Sequence, residues 1–265
     1  MSSIQKAFDH GKAFIPFITC GDPDLETTKA CVREMVRQGA DLIELGIPFS
    51  DPTAEGPVIM EASERALKNN VTTDDIFDMV VDLRKEIDIP MVFMTYANVI
   101  FSYGTERFAK KAAEIGMDGL ILPDVPYEEK EEFRVPFAAE GLDLIPLIAP
   151  TSDQRIEMIA KEASGFVYCV SSLGVTGMRT SLSDAGKKLA AQVHKYTDVP
   201  ACIGFGISNP EQARDMAEAA DGVIVGSAIV RIVAEHGKDS APYVGEFVRS
   251  MNCLLYTSPS PRDTR

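Results

Sequence analysis

Eight short runs of β-branched and apolar residues alternate with amphipathic segments along this chain, and no other feature narrows the possible folds as much. The runs span residues 13–19, 42–45, 91–95, 119–122, 144–148, 166–170, 201–204 and 222–225. Being apolar almost throughout, they suit strands buried on both faces, as in parallel sheets covered by helices. Helical patterns fall between them at 25–37, 58–68, 74–86, 105–115, 127–139, 153–163, 183–196, 210–219 and 228–235. Thr72 or Thr73 ahead of Asp74-Asp75, and Asn209-Pro210-Glu211, carry the side chains that begin helices. Strand and helix alternating eight times predict a single α/β domain, a (β/α)8 TIM barrel. A doubly wound open sheet is the alternative.

Composition agrees with one such domain. A chain of 265 residues with 45% hydrophobic content can bury a large core without dividing. A formal net charge of -14 argues against a nucleic-acid or anionic-membrane surface. No apolar run approaches membrane-spanning length, and the start lacks a secretory segment. The cysteines Cys20, Cys31, Cys169, Cys202 and Cys253 are odd in number, scattered and without a C-x-x-C pair. They read as reduced thiols in a cytoplasmic protein.

In a barrel of this kind chemistry sits just beyond the carboxyl ends of the strands. The second run ends in Glu44 and passes into a proline-punctuated loop carrying Asp51 and Glu55. A carboxylate leaving an apolar strand is poorly solvated, which favours its neutral form and lets it deliver a proton near neutral pH. Asp51, beside Pro52, is expected to shape the turn instead. The third and fourth runs lead into Thr95-Tyr96-Ala97-Asn98 and Pro123-Asp124-Val125-Pro126.

Glycine-rich turns follow the sixth, seventh and eighth runs, at Gly174 and Gly177, at Gly204 and Gly206, and at Gly226-Ser227. Without a Cβ, such turns let backbone N–H groups approach an anion, and a helix starting at Ser227 adds its dipole. Ordinary tight turns would explain each glycine singly; three at the phosphate-binding loops of a barrel favour a phosphorylated ligand. His10, His194 and His236 are isolated, so the usual zinc ligand sets are missing. No lysine stands in or just after a strand to form a Schiff base. The pattern leaves carboxylate acid–base chemistry on a phosphorylated small molecule.

Four motifs carry the reading further. Phe14-Ile15-Pro16-Phe17-Ile18-Thr19-Cys20-Gly21-Asp22-Pro23, Glu44-Leu45-Gly46-Ile47-Pro48-Phe49-Ser50-Asp51-Pro52, Gly174-Val175-Thr176-Gly177 and Gly204-Phe205-Gly206-Ile207-Ser208 closely resemble those of the tryptophan synthase alpha chain family, over about residues 4–252. The resemblance implies retro-aldol cleavage of indole-3-glycerol phosphate to indole and glyceraldehyde 3-phosphate. It implies no cofactor, because the indole ring accepts electrons once its C3 is protonated.

By position, Glu44 corresponds to the acid–base glutamate of that family. Glu55 falls where the family most often has an aspartate holding the indole N–H, so this chain departs by one methylene. Tyr168 and Thr176 match residues contacting the catalytic carboxylates and ring, and Phe17, Ile148 and Phe205 match the indole pocket. Gly177, Gly206, Gly226 and Ser227 match the phosphate site, while Asp124 and Asn98 fall near the site and the partner face. The implied partner is a pyridoxal-phosphate-dependent beta chain in an αββα heterotetramer. Two rivals are another phosphate-binding barrel enzyme, which the Glu44 motif disfavours, and a degenerate alpha chain that only activates its partner.

The last thirteen residues read differently. Cys253-Leu254-Leu255-Tyr256-Thr257-Ser258-Pro259-Ser260-Pro261-Arg262-Asp263 resembles the translation of a transposon-type sequencing adapter. Residues 1–252 are therefore expected to form the catalytic domain and 253–265 a disordered, non-native tail. The tail interrupts the helical pattern at 243–251, which is expected to run further in the natural chain. Resequencing the locus checks this.

Overall fold

The computed structural model describes residues 3–170, 180–204 and 206–256. Its strands are β1 (Ala13–Thr19), β2 (Ile43–Gly46), β3 (Met91–Met94), β4 (Gly119–Ile121), β5 (Asp143–Ile145), β6 (Leu147–Ile148), β7 (Val167–Val170), β8 (Ala201–Gly204) and β9 (Gly222–Val225). All are parallel, in the order β5-β4-β3-β2-β1-β9-β8-β7-β6. The two ends of that order, β5 and β6, are successive pieces of chain separated by Pro146 alone. The sheet therefore closes on itself: a (β/α)8 barrel whose fifth strand is broken in two, and not the doubly wound alternative. Pro146 has no N–H to donate to a ladder, which accounts for the break. Its carbonyl still accepts from the Tyr168 N–H at 2.9 Å.

Eleven α-helices are described: α1 (Leu25–Arg37), α2 (Pro57–Lys68), α3 (Thr73–Leu83), α4 (Ala97–Tyr103), α5 (Thr105–Glu114), α6 (Glu131–Ala139), α7 (Asp153–Lys161), α8 (Thr180–Val193), α9 (Pro210–Ala217), α10 (Ser227–His236) and α11 (Ala241–Tyr256). Local signals set several boundaries. Asp24 accepts from the Thr27 N–H, Thr72 and Asp75 form a reciprocal capping box, and Asn209 accepts from the Gln212 N–H ahead of Pro210 at the first helical turn. α4 was not expected. No side chain of its own caps it; the Asp124 carboxylate, 27 residues on, accepts the Ala97 N–H instead. α11 runs to Tyr256, into the segment read as a tail, whose residues 257–265 lie outside the described residues. No helix among the described residues is long and apolar enough to cross a membrane.

The side-chain alternation of the strands divides the core in two. Ala13, Ile15, Leu42, Val92, Ile121, Ile145, Phe166, Cys202 and Ile224 form the barrel interior. A 3₁₀ segment, Ser3–Phe8, closes its amino end with Ile4, Ala7 and Phe8. Outward residues such as Phe14, Ile18, Leu45, Phe93, Leu120, Ile203 and Val223 pack in a larger cluster shared with the helices. Any side chain in phase with the interior set but nearer the carboxyl ends must therefore enter the mouth of the barrel.

Candidate active site

Glu44 is such a side chain. It lies two residues beyond interior Leu42, aligned with Phe17 on β1 and Val92 on β3. It is 1% exposed, and neither carboxylate oxygen has a hydrogen-bond partner among the described residues. No salt bridge reaches it there either, so a strand-end ion pair does not explain it. Burial, and secondarily the negative charge of Glu55, push its pKa up to about 8. An orphaned buried carboxyl is costly in a fold, and at neutral pH it is held as the acid.

Glu55 belongs to the loop between β2 and α2. Burial raises its pKa to about 7, and the nearby Tyr96 hydroxyl pulls it back part of the way. Tyr96 follows β3 in phase with interior Val92 and Met94 and is 2% exposed. Its hydroxyl accepts the Ala54 N–H at 3.1 Å, and its ring stacks on Phe49 at 5.2 Å between centroids. The loop is thus clamped at both ends: Ile47 N–H donates to the Met94 carbonyl at 2.9 Å, and Tyr96 holds residue 54. Asp51 is exposed and accepts from the Ser50 hydroxyl, a local turn contact as expected.

Glycines make room for the two rings at the barrel mouth. A Cβ on Gly46 would lie 2.5 Å from the Phe17 ring, and one on Gly226 would lie 3.3 Å from it. On the other side, a Cβ on Gly204 would lie 2.5 Å from the Tyr168 ring. Tyr168 packs against the interior cluster, and burial, with the nearby Glu44 charge, raises its phenol well above the ordinary value. Phe17, Glu44 and Tyr168 thus converge, with Glu55 close enough to Glu44 for their charges to interact.

Ile148 does not join them. It packs in the outer cluster with the helices, whereas Leu147 packs against the interior. Gly206 stands at φ +78°, a left-handed conformation suited to glycine. Gly226 caps α10 without a side-chain bond, so the first N–H groups from Ser227 onward are unobstructed by a capping side chain. Thr176, Gly177 and Phe205 lie outside the described residues. Asp124 caps α4, and Asn98 lies within that helix. Two residues at the mouth went unassigned in the sequence reading. Tyr96 was legible only as a strand-end aromatic, and Thr19 has a buried hydroxyl without a partner among the described residues.

The fold and this mouth define a class: parallel α/β barrels with a buried carboxyl and a half-buried one near each other at the carboxyl ends of the strands. Comparison with known proteins makes the assignment particular. The model of the tryptophan synthase alpha chain family matches residues 4–253. A tryptophan synthase alpha chain from Lacticaseibacillus casei is 50% identical over 256 residues, 96% of either chain. One from Petrotoga mobilis is 44% identical, covering 96% of this chain and 99% of that one. The crystal structure of tryptophan synthase subunit alpha from Legionella pneumophila superposes with a TM-score of 0.88 at 39% identity, covering 97% and 99% of the two chains. A chain of the Pyrococcus furiosus tryptophan synthase complex gives 0.83 at 32% identity, covering 92% and 99%. The chain belongs to the tryptophan synthase alpha chain family, whose reaction is the lyase cleavage of indole-3-glycerol phosphate.

Proposed function

We propose that the Glu44–Glu55 pair performs this cleavage, Glu44 as the acid–base group and Glu55 as the charge-stabilising anion, with the rings of Phe17 and Tyr168 holding the indole between them. The observation that carries the reading is the orphaned, fully buried Glu44 carboxyl beside a second raised carboxyl. Protonated Glu44 donates to indole C3, and the ring nitrogen becomes positively charged. Ionised Glu55 stabilises that charge. Glu44, now ionised, takes the proton of the hydroxyl on the glycerol carbon bonded to the ring; the C–C bonding pair returns to the ring, releasing indole and the aldehyde. Each carboxyl thus has the pKa its task needs: Glu44 is the acid below about 8 and Glu55 the anion above about 7.

Gly206, Gly226 and Ser227 would hold the phosphate at the start of α10, where free N–H groups and the helix dipole favour an anion. Gly177, Thr176 and Phe205 keep the roles their motifs imply, and Ile148 backs the pocket wall from the outer core. The solved relatives include the α2β2 complex of Pyrococcus furiosus, which supports a beta chain as partner for this chain. The biosynthetic family points to the cytoplasm. Residues 1–252 would carry all of this without the thirteen after them.

Indole release from indole-3-glycerol phosphate, measured with and without a beta chain, tests the reading. Release from the wild type and its loss in Glu44→Gln, with substrate still bound, are expected. No release from the wild type in either setting would leave only a partner-activating role.

A further inference from the structure

We infer that Asp22, gripping Arg65, is a positioning residue: it sets the seat of α2 and with it the place of Glu55 at the barrel mouth. The inference rests on the carboxylate reading above and deepens it. α2 begins at Pro57, two residues after Glu55, so the end of the β2 loop moves with the helix. Upstream of Glu55, the Tyr96 hydroxyl accepts the Ala54 N–H. Downstream, Gly56 offers no capping side chain, so support from that side comes through the body of α2.

One face of α2 packs through Ile59 and Ala62 on Phe17 of β1 and Val230 of α10. Apolar contact of this kind is non-directional and leaves the axial placement of the helix underdetermined. The guanidinium of Arg65 removes that freedom. Its Nε and Nη2 donate to the two carboxylate oxygens of Asp22, each at 2.8 Å, and Asp22 is 2% exposed. Two parallel bonds fix direction as well as distance. Asn69, at the end of the helix, adds a bond from its side-chain amide to the Pro23 carbonyl at 2.5 Å.

The turn that offers these acceptors is itself tied down. Cys20 N–H donates to the Gly46 carbonyl at 2.9 Å, at the end of the strand that carries Glu44. Gly21 N–H donates to the Thr28 hydroxyl on α1 at 3.0 Å. Gly21 stands at φ +85°, and a Cβ there would lie 2.7 Å from a Val71 methyl, so the chain leaving α2 closes directly on this turn. A continuous set of contacts thus runs from the strand of Glu44, through residues 20–23, into α2 and back to Glu55. An ion pair at this depth adds little net stability, and what it supplies is a strict geometry. Asp22 acts on the reaction only through α2.

The test is a double-mutant cycle on kcat and KM for indole-3-glycerol phosphate in the full chain, with Asp22→Asn and Glu55→Gln made singly and together. Asn keeps the size of the side chain and leaves no buried charge, and Arg65, 32% exposed, can turn to water. We expect Asp22→Asn to lower kcat about tenfold, within the roughly hundredfold that a displacement of about 1 Å can cost, with KM changed by no more than about threefold. In the Glu55→Gln background the same substitution should cost less than about twofold, because the carboxyl it positions is gone. Arg65→Lys keeps the charge without the fork and should lower kcat about threefold, with the same loss of effect beside Glu55→Gln. It takes the place of Asp22→Asn in the cycle if that variant does not fold. Arg84→Lys weakens the buried pair with Asp118 at the other end of the barrel, and as the matched control it should leave kcat unchanged. An unchanged kcat in Asp22→Asn and Arg65→Lys, losses that persist in full beside Glu55→Gln, or an equal loss in Arg84→Lys overturns the positioning role of Asp22. A wild-type kcat in Glu55→Gln would instead overturn the carboxylate reading beneath it, so the two failures are distinguishable.

Discussion

Carboxylates stand at both ends of this barrel, and the two ends treat them in opposite ways. At the amino end, Asp41, Asp118 and Asp221 each accept a backbone N–H from a neighbouring strand start, from Phe14, Met91 and Ala201 at 2.7, 2.8 and 2.8 Å. Asp118 is also paired with Arg84 at 2.7 Å, and that guanidinium donates to the Gly116, Ile87 and Ile89 carbonyls. At the carboxyl end, Glu44 is more deeply buried and has no hydrogen-bond partner among the described residues. A fold seeking only stability would satisfy or remove such a group. Satisfied acids mark the end that holds the barrel together, and the unsatisfied one marks the end proposed to react, at a cost in stability.

The sharpest way to break this contrast is Glu44→Gln. Turnover should fall by roughly 10²–10⁴, the usual worth of a general acid. Stability should move the other way. Between about pH 4.5 and 8 the unfolded chain has released this proton while the folded chain keeps it, so stability falls as pH rises through that window. At pH 7 the shift corresponds to roughly 3 kcal/mol, less whatever the buried amide costs. Urea unfolding at pH 7 and pH 5 should show a gain in the variant at pH 7 that shrinks toward zero at pH 5. A loss of stability at both would mean that the carboxyl is a structural group after all.

At the opposite end, Arg84→Ala should cost about 3 kcal/mol, because it strands a largely buried carboxylate and three carbonyls. The kcat of the folded fraction should hardly change, and denaturant midpoints beside kinetics would show both. Gly204→Ala sharpens the contrast from within the mouth: its Cβ would press on the Tyr168 ring, costing about 1–3 kcal/mol and raising KM more than it lowers stability elsewhere. Smallest of all, Asp221→Ala removes one strand-start acceptor and should cost about 1 kcal/mol with no kinetic effect. Wild-type kcat should follow a bell in pH, rising as Glu55 ionises near 7 and falling as Glu44 ionises near 8.

Much of the barrel was legible because strands buried on both faces are written as uninterrupted apolar runs. β1, β8 and β9 have the bounds those runs predict. Glu44 was legible for the same reason, as an acid where an apolar run should continue. The aspartates just before β4 and β9 could have been read as a strand-start signature, since each repeats an acid beside Gly and an apolar pair.

Other features depend on partners remote in sequence. α4 is capped by a residue from another loop, and seven residues without a cap of their own carry little helical signal. Pro146 displaced the reading of the fifth strand, so Leu147 and not Ile148 turned out to face the interior. Tyr96 meets Ala54 and Phe49 only where the β2 loop folds back over β3.

Sequence alone thus determined the eightfold alternation, the family, and the presence of an acid at the end of the second strand. Pattern and composition are properties of neighbouring residues, and they suffice for that much. Tertiary structure decided that this acid is left without a partner among the described residues and that a second one is brought near it. Desolvation arises only when distant segments close around a residue.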